Sequence, residues 1–574
     1  MQKSKTVDSL PAYLKSYVAD QNYAGYTPRE HASWRFIMRS ARKIFAATAH
    51  ESYLEGLEKT GISISQIPKI EDMDVILSKF GWGAVCVTGY IPPLVFLDFQ
   101  AHRILPIAGN MRSLEHLNYT PAPDIVHEAA GHAPILVDHG YADYLTNYAK
   151  LARKAIFSDQ DIKLYEAVRK LSDYKENPDC TPADISLAEQ ELKKAEANVT
   201  WTSEASLVSR MFWWTVEYGL IGSIKNPKIY GAGLLSSLGE GQAALQDINI
   251  KKIPLAKDCV KQSFDITKPQ PQLYVAESFS QLNQLLKDLE EDMAFGKGGH
   301  YGLELAKKAK TVVTVELENH VQVSGVLSDF SAREEIVDFI RFTGPCQIAY
   351  KDKELAGQGR QRHGHGFSSP LGSCLLTDLK EGKPGTLNLA NGYKVQGVLK
   401  GVVRDGHGKP IVLTWQDCEV KDPKDRVVFE KAWGEFDQVL GERIISVFGG
   451  PADWQAYGEY DFGRADSAPL RTSPFSKAEK DKFAVYSALR AMRQEHKLLA
   501  DLSKKELKKH ADWLLEHCPE EWLIGLEIIE ILAQKGLNPA WLGDFQDQLL
   551  EKNKADQAVV ANLRRGYEIA HVPD

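Results

Sequence analysis

Residues 121–136 read PAPDIVHEAAGHAPIL, and its two histidines, His127 and His132, stand five positions apart with Glu128 beside the first and Gly131 beside the second. Two imidazoles this close suggest a shared metal ion. In a regular helix, positions five apart differ by roughly 140° at about 100° per residue, so both rings reach one ion only if the helix starts or distorts between them. Gly131 permits such a distortion. The spacing differs from H-E-x-x-H, whose imidazoles four apart share one helical face and usually hold zinc for hydrolysis. Two histidines and a single carboxylate suit mononuclear Fe(II) and leave about half of the coordination sphere open. The candidate third ligand is Glu217, in MFWWTVEYGL (residues 211–220). A carboxylate among Phe212, Trp213, Trp214, Val216 and Tyr218 is costly to bury ionised unless a cation compensates it.

Outward from this stretch, the chain up to about residue 305 reads as mainly helical. Residues 27–61, TPREHASWRFIMRSARKIFAATAHESYLEGLEKTG, carry apolar residues at helical spacing, with Thr27 as N-cap, Pro28 in the first turn and Gly61 as the stop. Between His132 and Glu217, residues 163–199 (KLYEAVRKLSDYKENPDCTPADISLAEQELKKAEANV) form two charged amphipathic runs broken at Asn177-Pro178, which predicts a helical hairpin inserted over about 157–200. From about Lys310 the texture changes to short alternating runs, TVVTVELE, HVQVSGVL and KVQGVLKGVV, parted by Gly, Pro, Asn and Asp. A β-rich domain is expected over 310–472, and its segment GQGRQRHGHGFSSPLG (357–372), with His363 and His365, reads as a mobile loop without a metal. Helical patterning returns after Ser473-Pro474 and defines a small helical unit over 475–574. The fold class is therefore multidomain α+β: a mainly α-helical catalytic domain over 1–305, a β-rich domain and a small α-helical C-terminal region.

The 574 residues, 43% of them hydrophobic, are enough for several buried cores. With 69 basic against 77 acidic residues and no long basic run, the chain is a poor match for nucleic acid or an anionic membrane. Residues 1–26 have no apolar signal region, and no stretch approaches eighteen uninterrupted apolar residues, so a cytoplasmic protein is expected. The seven cysteines form no C-x-x-C pair and read as ordinary thiols.

Three blocks in order, PDIVHEAAGH, WTVEYGL and YGAGLLSSLGE, resemble the biopterin-dependent aromatic amino acid hydroxylases. The likeness runs from YTPREHASWR at Tyr26, through YLEGLEKTGISISQIPKIEDM, to PQLYVAESF ending at Phe279, roughly half of the chain. It looks most like the bacterial phenylalanine-catabolising members, with an extra C-terminal region. The resemblance implies that His127, His132 and Glu217 ligate Fe(II), and that O2 and a tetrahydropterin, tetrahydrobiopterin or a similar one, are cosubstrate and cofactor. It also implies that Arg112, in GNMRSLEHLNYTPAPD, holds the carboxylate of the amino acid substrate, a task that suits a planar guanidinium. Thr120, Gly233 and Ser236 match positions that complete the amino acid site, and Ser236 also matches one that orients a ligand histidine. Trp213 matches the aromatic wall of the substrate pocket, Phe96 the phenylalanine that stacks on the pterin, and Glu128 the glutamate that faces it.

Members acting on phenylalanine, tyrosine and tryptophan share this machinery. Ile266, in FDITKPQPQLYV, stands where tyrosine-specific members carry an acidic residue, so L-phenylalanine leads as substrate and tryptophan follows. Two rival readings are a zinc hydrolase with Glu128 as general base and a catalytically lapsed scaffold whose second half recruits a partner. The family pattern also departs here in two ways: the hairpin lengthens the path from His132 to Glu217, and nothing after about Lys310 matches it.

Overall fold

A computed structural model describes residues 5–118, 124–177, 179–265, 269–377, 379–458, 474–494 and 500–572. It is a mixed α+β structure whose sheets all serve helices or each other. Helix α1 (Pro28–Phe45) starts at a capping box in which the Thr27 side chain accepts from Glu30 N while the Glu30 carboxylate accepts from Thr27 N. This helix is buried on nearly every side, Arg35 and Arg39 included. Strand β1 (Gly83–Val87) is followed by helix α2 (Pro93–Ala101) and strand β2 (Ile104–Ala108), and β2 runs parallel to β1. Between them and the second half of the site rises the hairpin, α3 (Asp159–Glu176) and α4 (Pro182–Ala197), each opened by its own capping box at Ser158 and Thr181. Its outer faces are solvated and laced by Lys170–Glu191 (2.7 Å) and Lys175–Glu189 (3.3 Å) ion pairs. The short helix α5 (Ala232–Ser236) and a four-stranded sheet of Asn226–Ile229, Leu220–Ser223, Gln272–Ala276 and Lys251–Pro254 complete this half.

The second half is built on β-hairpins. Strands β3 (Val312–Leu317), β4 (Val321–Arg333) and β5 (Ile336–Tyr350) pair antiparallel in sequence order, with β6 (Gly366–Pro370) added to β5. Strands β7 (Lys394–Arg404), β8 (Pro410–Lys421) and β9 (Phe436–Val439) centre a second sheet, and β10 (Ile444–Gly449) returns to pair with β3. Alternating apolar side chains from these strands fill two separate cores. The β-rich half is stitched to the first at the root of the hairpin. There the Glu204 carboxylate, buried, accepts from Ile156 N (3.1 Å) and Ala294 N (2.6 Å), Thr311 Oγ1 donates to Phe157 O (2.6 Å), and Gly449 N donates to Lys154 O (2.9 Å).

One segment behaves unlike its sequence texture. The Gly-rich stretch 357–372, expected to be mobile, is held down: His363 is buried with its Nε2 2.8 Å from Gln358 Oε1, Arg362 Nη2 and Nε pair with Asp437, and GFSSP is strand β6. Glycine here serves close packing, since a Cβ on Gly366 would meet Phe342 O at 2.5 Å. The C-terminal helices α6 (Lys477–Gln494), α7 (Trp522–Gln534) and α8 (Gln557–Ile569) pack on α1 and share its core. Phe36 meets Trp522 edge-on at 5.5 Å, Arg35 pairs with Glu530, Arg39 Nε lies 3.4 Å from the same carboxylate, and Arg39 Nη2 donates to the carbonyls of Ile569 (2.8 Å) and Val572 (2.6 Å). Among the described residues no helix is long and apolar enough to cross a membrane.

Candidate active site

Both segments that carry the candidate ligands are π-helical turns, Val126–His132 and Trp213–Glu217. Their wider winding shows in the i→i−5 hydrogen bonds Ala133 N→Glu128 O (3.1 Å) and Tyr218 N→Trp213 O (2.9 Å). In such a turn each residue rotates the chain less than in an α-helix, so positions five apart come closer to one face, which reduces the angular mismatch that a regular helix imposes on His127 and His132. The glycine between them has a different task from the one expected. Gly131 needs no unusual φ; a Cβ there would stand 2.7 Å from Ala232 O, so its bareness lets α5 approach.

The consequence is a tight cluster. His127 Nε2 and His132 Nε2 are 3.2 Å apart, and Glu217 reaches both, Oε2 at 3.3 Å from His127 and Oε1 at 3.3 Å from His132. A second carboxylate competes for the third position, since ligand atoms of His127, Glu128 and His132 also lie within 4.8 Å of one another. Glu217 is the better ligand because it touches both imidazoles, whereas the Glu128 carboxylate is 3.9 Å from His132. Both candidate triads share His127 and His132. His363 and His365 take no part in either.

The electrostatics agree with a cation site. Burial alone would raise the Glu217 carboxyl, but the two imidazoles outweigh it and hold it far below the usual carboxylate range. Burial would lower His127, yet Glu217 and then Glu128 hold it up at about 9. Glu128 is raised by burial in spite of both histidines, and its Oε2 is buried with no hydrogen-bond partner. Two imidazole nitrogens turned on one carboxylate at hydrogen-bond distance demand a positive charge between them, and a proton or a metal ion meets that demand.

Around this cluster, α5 supplies two residues. Ser236 Oγ is 3.0 Å from His127 Nδ1 and donates to Gly233 O (3.3 Å), so it accepts from His127 Nδ1–H and leaves the Nε2 lone pair facing the cluster. Gly233 lies where a Cβ would press on Glu217 O at 3.0 Å and Oε2 at 3.2 Å. Arg112 is buried and heavily committed. Its Nε and Nη2 grip Asp124 (2.6 and 2.8 Å), and Nη1 donates to Ser236 O (3.0 Å) and Leu117 O (3.5 Å). Trp213 is the middle ring of a stack, with Phe264 at 4.3 Å and Tyr218 at 4.5 Å. Phe96, half-buried on α2, meets Phe212 edge-on at 6.4 Å, next to Trp213. Thr120 and Ile266 lie outside the described residues.

Sequence reasoning passed over four side chains that the fold places here. Asp124 links two parts of the site, since it grips Arg112 and its Oδ1 also accepts from His127 N (2.9 Å). That Asp three residues before the first histidine is an N-cap pattern, so a signal was present. Tyr218 stacks on Trp213 and donates its hydroxyl to Glu240 Oε2 (2.8 Å). Neither this pairing nor the Phe264 stack has a signature in the chain order. Tyr90 follows β1, and burial raises its phenol, with the charges of Glu217 and Glu128 raising it further.

Comparison with known proteins identifies the family. The family described as biopterin-dependent aromatic amino acid hydroxylase matches residues 13–166 and 190–324, together half of the chain, with its interruption inside the hairpin. The chain is similar to the phenylalanine-4-hydroxylases of Mesorhizobium japonicum, at 29% identity over 46% of this chain and 81% of that one, and of Pseudomonas aeruginosa, at 25% over 48% and 88%. It is also similar to the crystal structure of Chromobacterium violaceum phenylalanine hydroxylase with bound iron(III) and 7,8-dihydrobiopterin, at 25% identity and TM-score 0.39, covering 49% of this chain and 87% of that one. The chain thus belongs to the biopterin-dependent aromatic amino acid hydroxylase family and is a pterin-dependent monooxygenase.

Proposed function

We propose that this enzyme is a phenylalanine 4-monooxygenase, converting L-phenylalanine to L-tyrosine with O2 and a tetrahydropterin at one non-haem Fe(II) held by His127, His132 and Glu217. The observation that carries the reading is the convergence of two imidazole Nε2 atoms and one carboxylate at 3.2–3.3 Å. This donor set is neutral apart from one charge and suits a ferrous ion with positions left open. Substrate choice is supported by the names of the similar phenylalanine-4-hydroxylases and by Ile266, which offers no acidic partner to a substrate hydroxyl. Tryptophan stands second.

When bound, iron and tetrahydropterin supply the activation of O2, the pterin giving the two electrons that reduce the oxygen atom not placed on the ring. The chain does the rest. Arg112 has five N–H groups, four of them used by Asp124, Ser236 and Leu117, and the remaining Nη2 hydrogen is offered to the substrate carboxylate. Gly233 and Ser236 close the same end of the site, and Thr120 matches by sequence a family position that completes it. Trp213, stiffened between Phe264 and Tyr218, forms the wall for the substrate ring, where ring contacts add about 1 kcal/mol beyond burial. Phe96 stacks on the pterin and Glu128 accepts from its N–H groups. Residues 1–305 are assigned as the catalytic unit, and 310–472 and 475–574 as additions with a structural or interaction role, in a protein of the cytoplasm.

The test is reconstitution with Fe(II), then assay with tetrahydropterin and each aromatic amino acid, with and without O2. Tyrosine formed only when iron, pterin, O2 and phenylalanine are all present supports the reading. Hydrolytic activity with zinc and no O2 overturns it in favour of Glu128 as a general base.

A further inference from the structure

The hairpin that interrupts the family match is joined to the turn after β1, which leads into the helix carrying Phe96. Tyr165, on the second turn of α3, donates its hydroxyl to the backbone carbonyl of Tyr90 at 2.8 Å, and the two rings lie 5.9 Å apart. Ile162, one turn earlier on the same face, packs with Ile91 against the core under α2. Tyr90 belongs to the turn from β1 to α2, where Gly89 has φ +59° and Pro92-Pro93 opens the helix that carries Phe96. A turn of this kind has few internal hydrogen bonds, so an outside donor decides its conformation. Tyr90 is half-buried, and its turn leads directly into the first turn of α2, which carries Phe96.

The family match ends at residue 166 and resumes at 190, so α3 runs on from Tyr165 into added chain, braced there by α4. We propose that Tyr165 is a positioning residue: anchored by the inserted hairpin, it holds residues 88–92 against the Phe96 and Glu128 side of the cleft and thereby sets how tightly the pterin is held. This rests on the pterin-dependent reading above and extends it to a residue at the edge of the family match, where α3 continues into chain that the match skips. Substrate binding at Arg112 and Trp213 is on other elements and is independent of this contact.

The experiment compares Tyr165→Phe, which keeps the ring and removes only the donor, with Tyr165→Ala, which removes both. Calorimetric titration of the metal-free full-length protein with 7,8-dihydrobiopterin reads the pterin site without turnover. Loss of one hydrogen bond should weaken that binding about five-fold in Tyr165→Phe, and more in Tyr165→Ala. In the iron-loaded enzyme the KM for tetrahydropterin should rise in step, while the KM for phenylalanine and kcat at saturation stay unchanged. Lys170→Ala, which loosens an exposed pair further along the hairpin, should leave all of them unchanged. Wild-type pterin affinity in Tyr165→Phe overturns the proposal, as does an equal weakening of pterin and phenylalanine, which marks a general support of the fold. A wild-type protein that neither binds dihydrobiopterin nor hydroxylates phenylalanine fails the functional reading itself, and the proposal falls with it.

Discussion

Replacing Ser236 by alanine removes a single hydroxyl, and its expected effect on the metal can be worked from the contacts around it. His127 donates Nδ1–H to Ser236 Oγ at 3.0 Å, and Ser236 passes its own proton to Gly233 O, so the tautomer that exposes His127 Nε2 is set by this chain of two bonds. His132 is held differently: it is fully buried, its Nδ1 has no hydrogen-bond partner, and packing together with the Glu217 contact at Nε2 fixes its ring. His127 keeps about a fifth of its side chain exposed and has less packing to fall back on. Loss of a ligand histidine's orienting partner typically costs 10–100-fold in metal affinity, about 1.4 to 2.7 kcal/mol, and the exposure of His127 puts Ser236→Ala toward the upper end. Competition for Fe(II) against a chromogenic chelator at fixed pH measures this directly, with thermal unfolding of the metal-free protein as the check that folding is intact. Unchanged Fe(II) affinity in a folded Ser236→Ala variant refutes the argument that this hydroxyl orients a ligand.

Three further outcomes are expected. Arg112→Lys replaces a fork that spans Asp124 and Ser236 by a point charge, so steady-state assay should show the KM for phenylalanine raised roughly ten-fold or more with a smaller change in kcat. Glu530→Ala removes one of the two buried carboxylates, Glu530 and Glu527, that act on Arg35 and Arg39, and should destabilise the α1–α7 contact by about 3 kcal/mol, seen as a fall in unfolding temperature; an unchanged value refutes the buried pairing. His363 is lowered from 6.5 to about 4 by burial, with Asp437 opposing and Arg362 adding to the shift. The unfolded chain therefore takes up a proton that the folded one refuses, so stability falls as pH drops below 6.5 and levels off below about 4. His363→Gln should flatten that slope, which is at most about 1.4 kcal/mol per pH unit for one group.

The element types were largely written in local pattern. Thr27-Pro28 with Glu30 is a capping box and Pro at the first turn in sequence, and α1 begins there; Thr181-Pro182 with Asp184 is the same device at the start of α4. The alternation in TVVTVELE and HVQVSGVL became β3 and β4. The same local reasoning failed at residues 357–372, because glycine and basic residues signal a loop only while nothing packs on them. Asp437, brought from elsewhere, and the His363–Gln358 contact within the stretch decided its course.

By itself the sequence determined which residue types were available to the site: a histidine pair five apart beside a glutamate, a second glutamate among aromatic rings, and three blocks whose order resembles one family. Those are one-dimensional facts, set by identity and spacing. Only the tertiary structure decided that the spacing of five works, because π winding in both segments is a property of hydrogen bonds made under packing from α5, where a side chain on Gly131 would meet Ala232. Tertiary structure also decided that the C-terminal helices share the core of α1. The Arg35 and Arg39 charges are buried against Glu530, about five hundred residues further along, and no local pattern encodes a partner that distant.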